Sequence, residues 1–128
     1  MIPAAVSSLL DACGVSLTVA PASRRSHVAT ARNGDDRAAY AQRATGADAR
    51  EAALSALDAL HCDAHREAAE NAAAFAQLVE DGAGPMRREA ATVRAATWRV
   101  RAATWRVRAA TLGAVCREAA KLWPEVSL

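Results

Sequence analysis

Two long stretches of this chain contain almost nothing that interrupts a helix. They run from about residue 47 to 80 and from about residue 86 to 122. Between them lies Asp81-Gly82-Ala83-Gly84-Pro85, the sharpest break in the sequence. Glycine ends helices and proline is tolerated in a first helical turn, so residues 81–85 read as a turn joining two helices. Each arm of about 35 residues would be ~50 Å long at 1.5 Å per residue. Nearly equal arms around a short turn predict an antiparallel helical hairpin.

Alanine dominates both arms, and it dominates the 52 % of hydrophobic residues. It is the best helix former but removes little apolar surface from water. Helix is therefore favoured strongly and core packing weakly. On the first arm Leu54, Leu57, Ala64, Ala68, Phe75 and Leu78 recur at heptad spacing, with His61 and Asn71 in the same series. A polar Asn71 there would fix register at some cost in stability.

Charge separates the arms. Asp35 to Asp81 holds ten acids and four arginines, whereas Met86 to Glu118 holds eight arginines and two acids. The arms should attract when side by side, which selects orientation more than it stabilises. The net charge of +2 has no such meaning.

The second arm contains a tandem repeat. Val93-Arg94-Ala95-Ala96-Thr97-Trp98-Arg99 recurs unchanged at Val100 to Arg106, and Val107-Arg108-Ala109-Ala110-Thr111 begins a third copy. A seven-residue insertion turns a helix by only ~20°, so a fold can tolerate it. On a helical wheel Val93, Val100 and Val107 form a smooth stripe with the alanines and threonines, the expected packing seam. The other side carries Arg94, Trp98, Arg101, Trp105 and Arg108, spaced for cation–π stacking. Three uses of that side are expected. The tryptophans cover a neighbouring element while the arginines meet the acidic arm, or the set binds an anion such as nucleic acid or a charged surface, or the chain self-associates through this face. The acidic arm disfavours the second.

Metal-ligand residue types cluster once, in His61-Cys62-Asp63-Ala64-His65. His61 and His65 are one turn apart, and Asp58 precedes His61 by three residues, so Asp58, His61 and His65 are the candidate metal ligands. Symmetric folding about the turn places Cys62 opposite residue 105 and leaves Cys116 out of reach. Cys13, Cys62 and Cys116 are odd in number and far apart, which argues against a disulfide framework and for reduced thiols in the cytoplasm. Leu10-Asp11-Ala12-Cys13 resembles a lipoprotein cleavage box, but Asp11 breaks the apolar run and no basic residue precedes it. No stretch is apolar enough to span a membrane.

Towards the start, residues 3–12 read as a short helix between Pro3 and Gly14. Ser16 to Ala20 is ambiguous. Residues 21–34 read as a flexible basic loop, with Arg24, Arg25 and Asn33-Gly34. Asp35 should cap a second short helix through Ala41, and Gly46 should break it before Asp48 caps the first long arm. The stretch Glu70-Asn71-Ala72-Ala73-Ala74-Phe75-Ala76-Gln77-Leu78 resembles a helix of the folate cyclodeaminase and cyclohydrolase family. That resemblance implies a small, dimeric helical enzyme. The chain departs from the family in having Pro3-Ala4-Ala5-Val6 where a glycine-rich segment belongs, and no residue's role carries over.

The expected fold is therefore one all-α domain over residues 1–128. It is a long hairpin with one or two short N-terminal helices, completed as a bundle by self-association. The expected function is a non-enzymatic helical interaction or scaffold module without a cofactor, a homo-oligomer or the partner of another helical protein.

Overall fold

The computed structural model describes residues 2–34, 40–81 and 88–124, with side chains described at 2–34, 41–77 and 96–124. The order of elements is α1 (Ala4–Ala12), β1 (Val15–Ser23), β2 (Ser26–Asn33), β3 (Tyr40–Gly46), α2 (Ala49–Asp81) and α3 (Arg88–Leu122). The all-α expectation is overturned, because a three-stranded antiparallel sheet in the order β1-β2-β3 stands where loops and a short helix were expected. The fold is a mixture of helices and sheet rather than a helical hairpin.

Burial alternates along the strands with their register. Register pairs Leu17 with Ala31 and Val19 with Ala29. It then pairs Ala31 with Gln42 and Ala29 with Ala44. Val15, Ala29 and Ala31 are buried, while Ser16, Thr18, Arg32 and Arg43 on the opposite face are exposed. One face is thus apolar and close-packed and the other polar and basic, the arrangement of a one-side-covered antiparallel sheet. Residues 21–34 are the end of β1, a turn at Arg24-Arg25, all of β2 and the bend at Gly34, not a flexible loop. Pro21 sits on the edge strand β1, beside a register shift between Pro21 and Ser23. An edge strand is where proline's missing donor is tolerated. The turn lacks glycine and asparagine. The hydroxyls of Ser23 and Ser26 bond across it at 2.8 Å instead.

The short helix expected through Ala41 is strand β3 from Tyr40 onward, and its expected cap Asp35 lies outside the described residues. Alanine's helical preference amounts to tenths of a kcal/mol per residue, and ladder hydrogen bonds to β2 override it.

Side chains satisfy the backbone groups left open at the helix ends. The Asp48 carboxylate accepts from Glu51 N at 2.8 Å, and Glu51 Oε2 accepts from Ala47 N at 3.2 Å. Asp48 is thus the N-cap of α2, worth about 1 kcal/mol, and Glu51 reaches back to the residue before the cap in a variant of the capping box. At the far end of α3, Arg50 donates from Nε to the Trp123 carbonyl at 2.6 Å and from Nη2 to that of Ala120 at 3.3 Å. A guanidinium thus satisfies the orphan carbonyls of a helix C-terminus, where a cation is also favoured by the helix dipole. The turn expected at residues 81–85 lies beyond the described residues after Asp81.

The chain divides into two compact units. Unit 1 comprises Met1–Cys62 with Thr111–Leu128, and unit 2 comprises Asp63–Ala110. The largest fully buried side chains are Val6, Leu57, Leu60, Leu112 and Val115, all in unit 1. In unit 1, α1 packs on β1, the start of α2 lies against Gly46 at the end of β3, and the last part of α3 is tied to α2 through Arg50. Buried Ala29, Ala31, Ala52, Ala53 and Ala56 let sheet and helix backbones approach closely. In unit 2 the described residues that are buried are Ala64, Asn71 and Ala109.

Candidate functional site

Two groupings carry recognisable chemistry, one in each unit. In unit 2 the heptad repeat brings Trp98 and Trp105 to the same side of α3. The Arg101 guanidinium carbon lies 5.0 Å from the Trp98 ring centroid, and that of Arg108 lies 4.7 Å from Trp105. These cation–π pairs form along the helix as the spacing predicts. Trp98, Arg101 and Trp105 line a groove of about 310 Å³ with Glu67, Glu70, Asn71 and Ala74 of α2. Asn71 is only 5 % exposed, and its amide donates to the Glu67 carbonyl of its own helix. Of the proposed anion-binding set, Arg94 lies outside the described side chains. Trp98, Arg101 and Trp105 are together, but beside two carboxylates. Glu67 and Glu70 offset the arginine charge that an anion would need.

The packing seam read from the wheel is reversed. Val100 and Val107 are 63 % and 64 % exposed, whereas Trp98 and Trp105 are half-buried towards α2. A tryptophan ring buries 150–250 Å², roughly, and so gains more than valine from facing inward. Outward, the two valines share a face with exposed Ala96, Thr97, Thr104 and Ala110. Thr104 donates its hydroxyl to the Val100 carbonyl at 2.8 Å, which leaves its methyl as the main outward group. Exposed Arg99, Arg101 and Arg106 border this face.

In unit 1 the metal-ligand types regroup. Ligand atoms of Asp58, His61 and Cys62 lie within 4.8 Å of one another on successive turns of α2. The Cys62 thiol approaches Asp58 Oδ2 at 4.0 Å. Of the candidate ligands Asp58, His61 and His65, the first two belong to this cluster. His65 is exposed and stands outside it. Cys62 was missed as a ligand because only the two histidines were weighed for a shared helix face.

Cys116 does reach this neighbourhood, contrary to the symmetric folding expected from the turn. The Arg50–Trp123 bond and the contact of Gly113 with His61 set the true register of α2 against α3 in unit 1. Counting three residues back from His61 and three on from Gly113 brings Cys116 level with Asp58. Burial first, then the charges of Asp58 and Cys62, push the Cys116 thiol up to about 11. Gly113 is what admits the His61 ring, since a Cβ there would stand 3.0 Å from Nε2.

The chain matches no protein-family model, no curated protein and no solved structure. Among the described residues, no helix is long and apolar enough to cross a membrane.

Proposed function

We propose that this protein is a non-enzymatic helical interaction module that pairs with a second copy of itself through the outward face of α3 in unit 2. The observation that carries the reading is the exposure of Val100 and Val107, one heptad apart on a single helical face. Isolated exposed valines are ordinary, but two in register with alanine and threonine between them form a stripe that water solvates poorly.

Charge chooses what covers that stripe. If α3 met α3 of the second copy, Arg99 and Arg106 would face arginines across the seam, as like charges do at mismatched coiled-coil flanks. The α2 segment of unit 2 is complementary. Besides Glu67 and Glu70, which line the groove with Arg101 of its own chain, it carries Asp63, Glu80 and Asp81 against Arg66 alone. Its exposed Ala69, Ala72, Ala73 and Ala76 offer a flat floor for valine side chains. We therefore assign α3 of one copy to α2 of the other. A cytoplasmic location goes with this reading, because free Cys13, Cys62 and Cys116 persist as thiols in a reducing compartment.

Light scattering and sedimentation on the full chain test it. The wild type should self-associate at micromolar concentration, less so as salt rises. Val100→Ser with Val107→Ser should weaken association about a hundredfold, from ~1.5 kcal/mol or more per valine withdrawn from the seam. Both side chains are exposed in the single chain, so helicity should be unchanged. A wild type that stays monomeric at ~100 μM, a concentration where even a ~10 μM Kd would show, would end the proposal.

A further inference from the structure

Asp58, His61 and Cys62 occupy positions i, i+3 and i+4 of one helix, and Cys116 comes level with Asp58 from the other. We infer that these four side chains form a binding site for a borderline-soft divalent metal ion of the zinc class, joining α2 to α3 within unit 1.

The donor set fits that chemistry. One carboxylate oxygen, one imidazole nitrogen and two thiolates make a four-coordinate N/O/S site, which zinc accepts and magnesium or calcium does not. The spacing fits as well. A carboxylate three residues before a histidine projects with it to one side of a helix, an arrangement helical bundles use to hold metals. The three α2 ligand atoms already lie within 4.8 Å of one another. Zinc bonds of about 2.0–2.3 Å place tetrahedral ligands about 3.5 Å apart, so rotamer adjustments of about 1 Å bring the three α2 atoms onto one ion, and Cys116, outside that group of three, supplies the fourth ligand from α3. Asp58 and Cys62 are exposed, His61 and Cys116 half-buried. The exposed pair can make those adjustments, and the half-buried pair supplies a fixed wall.

The Asp58 carboxylate beside His61 and Cys62 supplies negative charge that attracts a divalent cation to these three ligand atoms. Metal would deprotonate both thiols and release those protons to solvent on binding. Occupancy would crosslink two helices far apart in the chain. It would therefore stabilise unit 1 by binding the folded state alone.

Cobalt(II) and zinc(II), each added alone to the reduced full-length chain, test the site. One equivalent of cobalt should produce thiolate charge-transfer absorption and the intense visible bands of tetrahedral coordination, and zinc should displace them. Zinc should raise the melting temperature by several degrees. Cys116→Ser should halve the charge-transfer intensity, and adding Cys62→Ser should abolish it. Asp58→Asn, at an exposed position, should weaken cobalt binding at least tenfold with helicity unchanged. Cys13→Ser should keep the full spectrum. Failure of one equivalent of cobalt to give thiolate bands would overturn the inference. So would bands that survive in the Cys62→Ser/Cys116→Ser double variant.

Discussion

Replacing Gly46 with alanine should cost about 3 kcal/mol or more and lower the melting temperature by about 10 °C. Gly46 ends β3 two residues before the Asp48 cap of α2. A Cβ built there would collide with the backbone of Ala52 and lie 2.8 Å from the carbonyl carbon of Glu51 and 2.9 Å from the Ala52 Cα. Backbone atoms of a capped first turn cannot swing aside as a side chain does. Either α2 lifts from the sheet or the β3–β2 pairing of Gly46 with His27 slips. Gly14 provides the internal control. Its φ is +68°, yet nothing lies within 4 Å of its Cβ position. Gly14→Asn should therefore cost about 1 kcal/mol or less, since asparagine tolerates the left-handed conformation. Gly46→Asn should be as damaging as Gly46→Ala. Thermal unfolding followed by circular dichroism separates the two. Equal, mild losses at both glycines would show that β3 and α2 do not approach as described.

Leu57→Ala should destabilise by about 3–4 kcal/mol, a large share of the 5–15 kcal/mol typical of a domain. Leu57 has no exposed surface, and its neighbours on the same arc, Ala53, Ala56, Leu60 and Ala64, have none either. With so many alanines around it, little side-chain length is available to fill the space it vacates. The same substitution logic applied to unit 2 gives small numbers, because its described buried residues are alanines and one asparagine. Native-state hydrogen exchange should show this contrast directly. Amides of residues 52–60 and 112–119 should exchange only through global unfolding, and Leu57→Ala should accelerate them by two to three orders of magnitude. Amides of residues 65–77 and 96–108 should exchange through smaller openings and respond weakly to Leu57→Ala. Uniform protection along α2 would contradict this division of the core.

The difference between the units also explains what could be anticipated. Of the heptad positions on the first arm, Leu57, Ala64 and Asn71 are buried, Leu54, His61, Ala68 and Phe75 are half-buried, and the Leu78 side chain lies outside those described. Heptad spacing did not mark Ala52, Ala53, Ala56 and Leu60 as core. A heptad stripe is the narrow contact of one helix with one other, whereas α2 in unit 1 meets a sheet as well and is buried over a wider arc. The sheet itself was obscured by small residues. Alternation in Ser26 to Asn33 runs His27, Ala29, Ala31, Asn33 against Val28, Thr30, Arg32, which no hydrophobicity count distinguishes from noise.

Taken alone, the sequence placed long helices at about residues 47–80 and 86–122, close to Ala49–Asp81 and Arg88–Leu122 of the structure, ended α1 near Gly14, and gave the two long helices different charge. These are local matters, set by alanine propensity, by the placement of glycine and proline, and by composition. It also determined that Trp98 and Trp105 share a side with Arg101 and Arg108, since a seven-residue repeat preserves helical phase. Only the tertiary structure decided which side turns inward. Tryptophan won over valine because burial scales with area removed from water, and that comparison exists only when a second surface is present. Tertiary structure likewise decided that Val15–Ser23, Ser26–Asn33 and Tyr40–Gly46 pair as strands, because a ladder's hydrogen bonds come from a neighbouring strand. It also brought Cys116 to the Asp58–His61–Cys62 cluster. The register of two helices is set by Arg50 at Trp123 and Gly113 at His61, contacts between residues distant in the chain, and not by the position of the turn that joins them.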